Sequence, residues 1–239
     1  MKKTLLIIIL LLCAQAANGQ VLIALLFGDA LNTGKIEFGL DGGLTLTSTA
    51  GAPQAGTLTT WNLGFYFDIK LKDPAWMVHT GVIVKSTLGA DHLPVYPLND
   101  PELDAEFSGG SVTRKMSYFN VPIMIKYRTR SRIFVEGGVQ LGLLYKGVDT
   151  FKAQVPDAGD LSYKLDIRDQ YYRLDAGLIA GIGYRLMRGN GMNLGLRYYH
   201  GLADVLKDDA VPGHFNRAVY VTVGIPIGAK KPAKTEAAK

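Results

Sequence analysis

The sequence predicts an all-β fold, an eight-stranded antiparallel up-and-down transmembrane β-barrel with short periplasmic turns and longer extracellular loops. Three observations predict it. Eight segments alternate apolar with polar or small residues over about 10 residues or more, the length of a tilted strand crossing a bilayer. The second face of those segments is rich in glycine and sparsely charged. That suits the crowded inside of a narrow barrel better than the solvent face of a soluble sandwich. Short and long connections also alternate strictly along the chain.

The elements follow in chain order. Lys2 and Lys3 form a basic start, Leu5 to Leu12 is an apolar run, and Ala17-Asn18-Gly19 supplies small residues for cleavage, so residues 1–19 read as a signal peptide. The run is well short of the roughly 20 apolar residues that a spanning helix needs. A lipoprotein signal acylated at Cys13 is the alternative, disfavoured because Leu12 stands where a small residue is required. Residues 20–35 are a short periplasmic segment whose apolar run Val21–Phe27 is read as a helix docked at the rim, with an extended strand as the alternative. The barrel is expected over residues 36–228, and residues 229–239, rich in Lys and Ala, as a disordered basic tail.

Within the barrel, Ile36, Phe38, Leu40, Leu44 and Leu46 oppose Glu37, Gly39, Asp41, Gly43 and Thr45. Trp61, Leu63, Phe65, Phe67 and Ile69 oppose Asn62, Gly64, Tyr66 and Asp68. Trp76, Val78, Thr80, Val82 and Val84 oppose Met77, His79, Gly81 and Ile83. Phe119, Val121, Ile123, Ile125 and Tyr127 oppose Asn120, Pro122, Met124 and Lys126. The second half repeats the pattern in segments 132–145, 172–185, 192–199 and 218–227. Tight connections at Asp73-Pro74, Thr129-Arg130-Ser131 and Gly189-Asn190-Gly191 alternate with loops at 48–57, 86–113, 147–170 and 201–216. Aromatics on the apolar face gather near both ends: Trp76, Tyr127 and Tyr184 at the tight-turn end, and Trp61, Phe119, Tyr145, Tyr172 and Tyr198 at the loop end. Such girdles flank an apolar band in membrane barrels.

Composition excludes several classes. Cys13 is the one cysteine and leaves with the signal, so disulfide scaffolds, thiolate metal sites and cysteine nucleophiles are excluded. The formal charge of +5 resides in the ends, in Lys2, Lys3 and the lysines of the tail; the barrel itself is near neutral and offers no basic face for nucleic acid.

Counting from the tight turns brings Asp68, His79, Lys126, Glu136 and Arg197 to similar heights on the glycine-rich face. Mixed charges inside a narrow barrel must pair, because an unpaired buried ion is expensive. A salt-bridged layer that closes the lumen is therefore expected, with Glu136 bracketed by Lys126 and Arg197; a gated ion path or a proton site at His79 is the functional alternative. No catalytic, cofactor or metal site is expected. His79, His92, His200 and His214 join Ser86, Ser108, Ser111 and Ser117 in no nucleophile motif. Asp100, Glu102 and Asp104 do not match a calcium loop and read as a solvated acidic segment.

The chain resembles the PorT-type outer-membrane barrels, small eight-stranded barrels of Gram-negative bacteria. The resemblance rests on residues Phe119–Tyr127, Val135–Gly142, Asp175–Tyr184 and Leu194–Tyr198, and spans most of residues 36–228. It implies a structural motif set without a catalytic signature, and some members of that family are tied to protein secretion and assembly. Thr222–Ile227 resembles the terminal signal read by the barrel-assembly machinery, with Ile where an aromatic residue is usual. The partners implied are outer-membrane lipid, that machinery during insertion, and a protein at the loops or the periplasmic rim of a monomer.

Overall fold

The computed structural model describes residues 33–52, 54–155, 159–187, 191–208 and 213–227. The expected signal peptide, the apolar run Val21–Phe27, the expected basic tail and residues 189 and 190 of the expected tight turn lie outside the described residues. Among the described residues there are nine strands: β1 (Ile36–Ala50), β2 (Leu58–Lys70), β3 (Trp76–Leu93), β4 (Ser111–Arg128), β5 (Ile133–Val155), β6 (Gly159–Asp166), β7 (Leu174–Arg185), β8 (Asn193–Gly201) and β9 (Phe215–Pro226). A short helix, α1 (Pro101–Glu106), lies between β3 and β4.

Every pairing is antiparallel, and eight strands form a ring in the order β1-β2-β3-β4-β5-β7-β8-β9. The ring is closed by the first and last strands, with Gly39 opposite Pro226 and Leu44 opposite Val221. Closure leaves no edge within the ring, which is the condition for burying a sheet in hydrocarbon that cannot hydrogen-bond to it.

The ninth strand departs from the sequence expectation. β5 runs for 23 residues, pairing with β7 through Ile133–Leu143 and with β6 through Val148–Val155. Much of the expected loops 86–113 and 147–170 is therefore strand: β3, β4, β5 and β6 continue as one sheet beyond the barrel wall. A crossing needs about 10 residues, so the 18 residues of β3 and of β4 leave about eight, on the order of 20 Å, above the membrane. Apolar alternation on the outward face stops where lipid ends, and that loss made the extension read as loop.

The two faces of the barrel are chemically inverted relative to a soluble protein. Leu44, Trp61, Ile125, Leu141, Leu178 and Leu196 are exposed, each keeping about half its surface open. The interior holds Asp68, His79, Asn120, Lys126, Glu136, Gln140 and Arg197. A continuous exposed apolar belt of this size is found on membrane-embedded surfaces. The tight turns are built locally. Trp76 N–H donates to the Asp73 carbonyl at 3.0 Å, and Ala75 N–H donates to Asp73 Oδ1 at 2.9 Å. In the β4–β5 turn Arg132 takes a left-handed φ of 73° and is held by a guanidinium bond to the Leu186 carbonyl at 2.8 Å.

Glycine makes room for lumen aromatics. Gly183 of β7 sits opposite Phe134 of β5, and a Cβ at Gly183 would overlap the Phe134 ring. We expect Gly183→Val to destabilise the barrel by about 1–3 kcal/mol through overpacking and Phe134→Ala by about 3–5 kcal/mol through a cavity. In the double variant the new side chain fills part of that cavity, so its loss should fall short of the sum of the single losses by more than about 1 kcal/mol. Urea unfolding in lipid vesicles measures the coupling, and strict additivity would disprove the contact's importance.

Candidate functional site

The charged layer of the lumen is assembled from six strands. Register pairs Asp68 of β2 with His79 of β3, and Lys126 of β4 with Glu136 of β5. Arg197 of β8 and Glu136 of β5 both sit opposite Gly181 of β7. That glycine decides the geometry: a Cβ there would lie 2.8 Å from Arg197 Cγ and 3.3 Å from Glu136 Oε1. Without a side chain on the intervening strand, the two ions meet across it.

The contacts form a continuous network. Lys126 Nζ donates to Asp68 Oδ2 at 2.9 Å and stands 3.8 Å from Glu136 Oε2. Asp68 Oδ1 contacts His79 Nδ1 at 2.6 Å. Arg197 bonds Glu136 through Nε and Asp41 Oδ2 through Nη1, and its Nη2 lies 3.2 Å from His79 Nε2. A guanidinium only donates, so His79 Nε2 accepts and its Nδ1–H points to Asp68. Lys126 also lies over the Phe134 ring at 4.2 Å, within cation–π range. All five residues singled out in the sequence are thus in one network, with Lys126 closer to Asp68 than to Glu136.

Sequence reasoning missed Asp41, which supplies the second carboxylate on Arg197. Its signal was present: Asp41 pairs with Gly64 on one side and Gly224 on the other, a charge flanked by glycines across both neighbouring strands. Also missed was a second ion pair nearer the tight-turn end. There Arg185 forms a two-pronged pair with Glu37 at 2.8 and 3.0 Å, and Tyr66 donates to the same carboxylate at 3.0 Å.

Further side chains meet in the lumen beyond this layer. Among its residues the space left is a void of about 10 Å³, bounded by Asp41, Tyr66, His79, Lys126, Phe134 and Arg197 among others. That is at the threshold for a single water molecule. Above it Gln140 donates to Tyr220, and Asn216 joins Asp175 at 2.8 Å and Tyr118 at 3.3 Å. At the mouth, Ile167 and Tyr171 from one connection and Val205 and Leu206 from another join Leu88, Met116 and Leu144 in an apolar cluster. Arg114 crowns it, paired with Asp149 at 2.6 Å and bonded to the Tyr171 hydroxyl. Burial pushes that hydroxyl up to about 12, against the opposing pull of Arg114.

The other candidates are placed as follows. Among the described residues no histidine ring hydrogen-bonds a serine; Ser86 Oγ accepts from Asn120, and His200 faces Tyr198 on the outer wall. Asp100 caps α1, accepting from the N–H groups of Glu102 and Leu103, and Asp104 accepts from Leu98 N–H at 2.7 Å. Among the described residues no three acidic, imidazole or thiol groups converge as a metal would require.

A closed ring with an exposed apolar belt and a polar interior agrees with the family comparison. The model of the outer membrane protein beta-barrel domain matches residues 14–207. The chain belongs to that family. It is a protein of the bacterial outer membrane. No curated protein sequence matches it. Among solved structures, it is similar to Ail of Yersinia pestis in complex with the heparin analogue sucrose octasulfate, at 10% identity and a TM-score of 0.41, covering 80% of this chain and 99% of that one. It is similar to OprG of Pseudomonas aeruginosa at 17% identity and a TM-score of 0.37, covering 80% and 93%. It is similar also to Neisserial surface protein A, at 10% identity and a TM-score of 0.38, covering 79% and 96%.

Removing Arg197 leaves Asp41 and Glu136 buried without their main partner. Arg197→Met is expected to destabilise the barrel by about 3–5 kcal/mol. Adding Asp41→Asn and Glu136→Gln should recover most of that loss, because the orphaned charges then disappear. Urea unfolding in vesicles checks both, and a triple variant no more stable than the single one would refute the charge explanation.

Proposed function

We propose that this outer-membrane protein is a monomeric, non-enzymatic barrel with a plugged lumen, acting through protein contacts made by its extracellular extension. The observation that carries the reading is the division of labour in the chain. The barrel interior is occupied from tight turn to mouth, while the extension has a core of its own. Ala90, Leu93, Phe107, Val112, Phe151 and Ala153 form a cluster separate from the barrel's. Around it Phe151 packs against Tyr96 at 5.0 Å and Phe107 at 5.8 Å. Tyr96 in turn donates to Asp149 at 2.9 Å, tying this core to the mouth. Loops that only join strands need no such core; a segment that presents a fixed surface does.

The segments that resemble PorT-type barrels lie in the wall strands β4, β5, β7 and β8, and we place the chain within that subfamily as part of this proposal. Insertion then relies on the barrel-assembly machinery reading β9. The charged layer serves as the plug, with His79 a member of it rather than a proton carrier.

Planar-bilayer recording of the refolded protein tests the plug, and no steady conductance is expected. Steady channels that change on Glu136→Ala would replace the plug with a gated pore. In parallel, cells carrying a version in which residues 149–165 are replaced by a short Gly-Ser turn should lose whatever partner crosslinks to the intact protein. A defined complex that survives that replacement would refute the role of the extension and favour an accessory of secretion machinery contacted at the periplasmic rim.

A further inference from the structure

The outer surface of the extension carries lysines where the lipid-facing wall ends. Outward-facing positions on β4, β5 and β6 place Lys115, Lys146 and Lys164 around a groove of about 410 Å³, with Thr87, Ser117 and Thr150 also lining it. All three lysines are exposed, and none forms a salt bridge with a described residue. The single carboxylate on the groove, Asp166, accepts from the Arg168 N–H at 2.9 Å.

Height relative to the membrane gives the patch its meaning. Lys146 directly follows Tyr145, which stacks on Phe119 at 4.6 Å in the loop-end girdle. Lys85 lies 3.4 Å from the centroid of the Trp61 ring in the same girdle. Register sets Lys146 opposite Ser117, one outward position from Lys115, and Lys164 opposite Thr150 on the next strand. With strands about 4.8 Å apart, Lys115 and Lys164 stand about 10 Å apart across the sheet. Lys146 thus occupies the level just outside the hydrocarbon, and Lys115 and Lys164 stand two and four strand positions farther out, about 7 and 13 Å along the strands, so that the patch reaches from the girdle through the headgroup layer.

We propose that this groove binds the phosphorylated headgroup of an outer-leaflet glycolipid, with Lys115, Lys146 and Lys164 holding phosphate and the girdle aromatics Phe119 and Tyr145 against its acyl chains. Hydroxyls of Thr87, Ser117 and Thr150 supply the neutral hydrogen-bonding groups a sugar phosphate needs. Cations at this level are also favoured as simple anchors at an anionic surface, but three on one groove with adjacent hydroxyls select a multiply charged headgroup. The inference requires only that the barrel sit in the outer membrane, and it stands whether or not the extension binds a protein.

The test uses the full refolded protein in phosphatidylcholine nanodiscs containing a minor fraction of diphosphorylated lipid A, with retained lipid counted by native mass spectrometry. The wild type is expected to hold lipid A above its bulk fraction. Each lysine at an anionic surface is worth about fivefold, so Lys115→Gln/Lys146→Gln/Lys164→Gln should lower the affinity that retention reports by about a hundredfold. The matched Lys→Arg triple variant should retain it, and so should a Gln triple at Lys35, Lys70 and Lys72 near the opposite end. Unchanged heat-dependent gel mobility of the variants confirms that the barrel is intact. Equal retention by the Gln triple and the wild type, or no enrichment in the wild type, would overturn the proposal. Displacement of lipid A by inorganic phosphate at equal phosphate concentration would overturn the glycolipid assignment and leave a site for free phosphate.

Discussion

Hydrocarbon offers backbone amides no hydrogen-bond partner, and the rest of this structure depends on that constraint. It forces the sheet to close, and β1 meets β9 along twelve paired positions so that neither end strand is left with an open edge within the wall. Closure then turns the amphipathic pattern inside out, since the apolar parity must face lipid and the other parity must face the inside of a narrow cylinder. Polar side chains placed there are removed from solvent by geometry and must find partners among themselves. Lys126 and Asp68, each with about 1% of its surface accessible, are the clearest instance.

The partnering is possible because glycine is distributed to permit it. A cylinder filled only with large residues would be overpacked, and one filled with small residues would leak. Here Gly181 lets Glu136 and Arg197 meet across a strand, and Gly183 takes the ring of Phe134. Asp41, between Gly64 and Gly224, is free to reach Arg197 for the same reason. The abundance of glycine on the inward parity is therefore the complement of the large inward side chains, each needing a neighbour without a Cβ.

This explains what was legible in the sequence and what was not. The eight wall strands, their face assignment and the height of Asp68, His79, Lys126, Glu136 and Arg197 follow from a period of two and from the positions of tight turns, both local properties. Which carboxylate each base prefers is not local. Lys126 lies beside Glu136 in register yet takes Asp68 as its closer partner, because Arg197 already occupies Glu136 from across β7. Asp41 was read as just one more polar residue of the first strand, since its role depends on a contact 156 positions away. The extension above the membrane was illegible for another reason. Beyond the lipid no apolar outward face is needed, so Lys115, Lys146, Thr150 and Lys164 replace the alternation although backbone pairing continues without a break through β5 and β6.

The charge balance of the lumen follows from the same geometry. Asp41, Asp68 and Glu136 face two permanent cations, Lys126 and Arg197, and an imidazole whose Nε2 is turned to a guanidinium that can only donate. Three carboxylates thus share two fixed cations in the layer. Each base must then serve two acids: Arg197 bridges Asp41 and Glu136, and Lys126 stands between Asp68 and Glu136. Sharing ties six strands to one another through a few side chains, so displacing any one member disturbs contacts on several others. In the plugged barrel we propose, this sharing of cations is what makes the layer cooperative: a single base cannot move aside to open a path without weakening the pairing of two buried carboxylates at once.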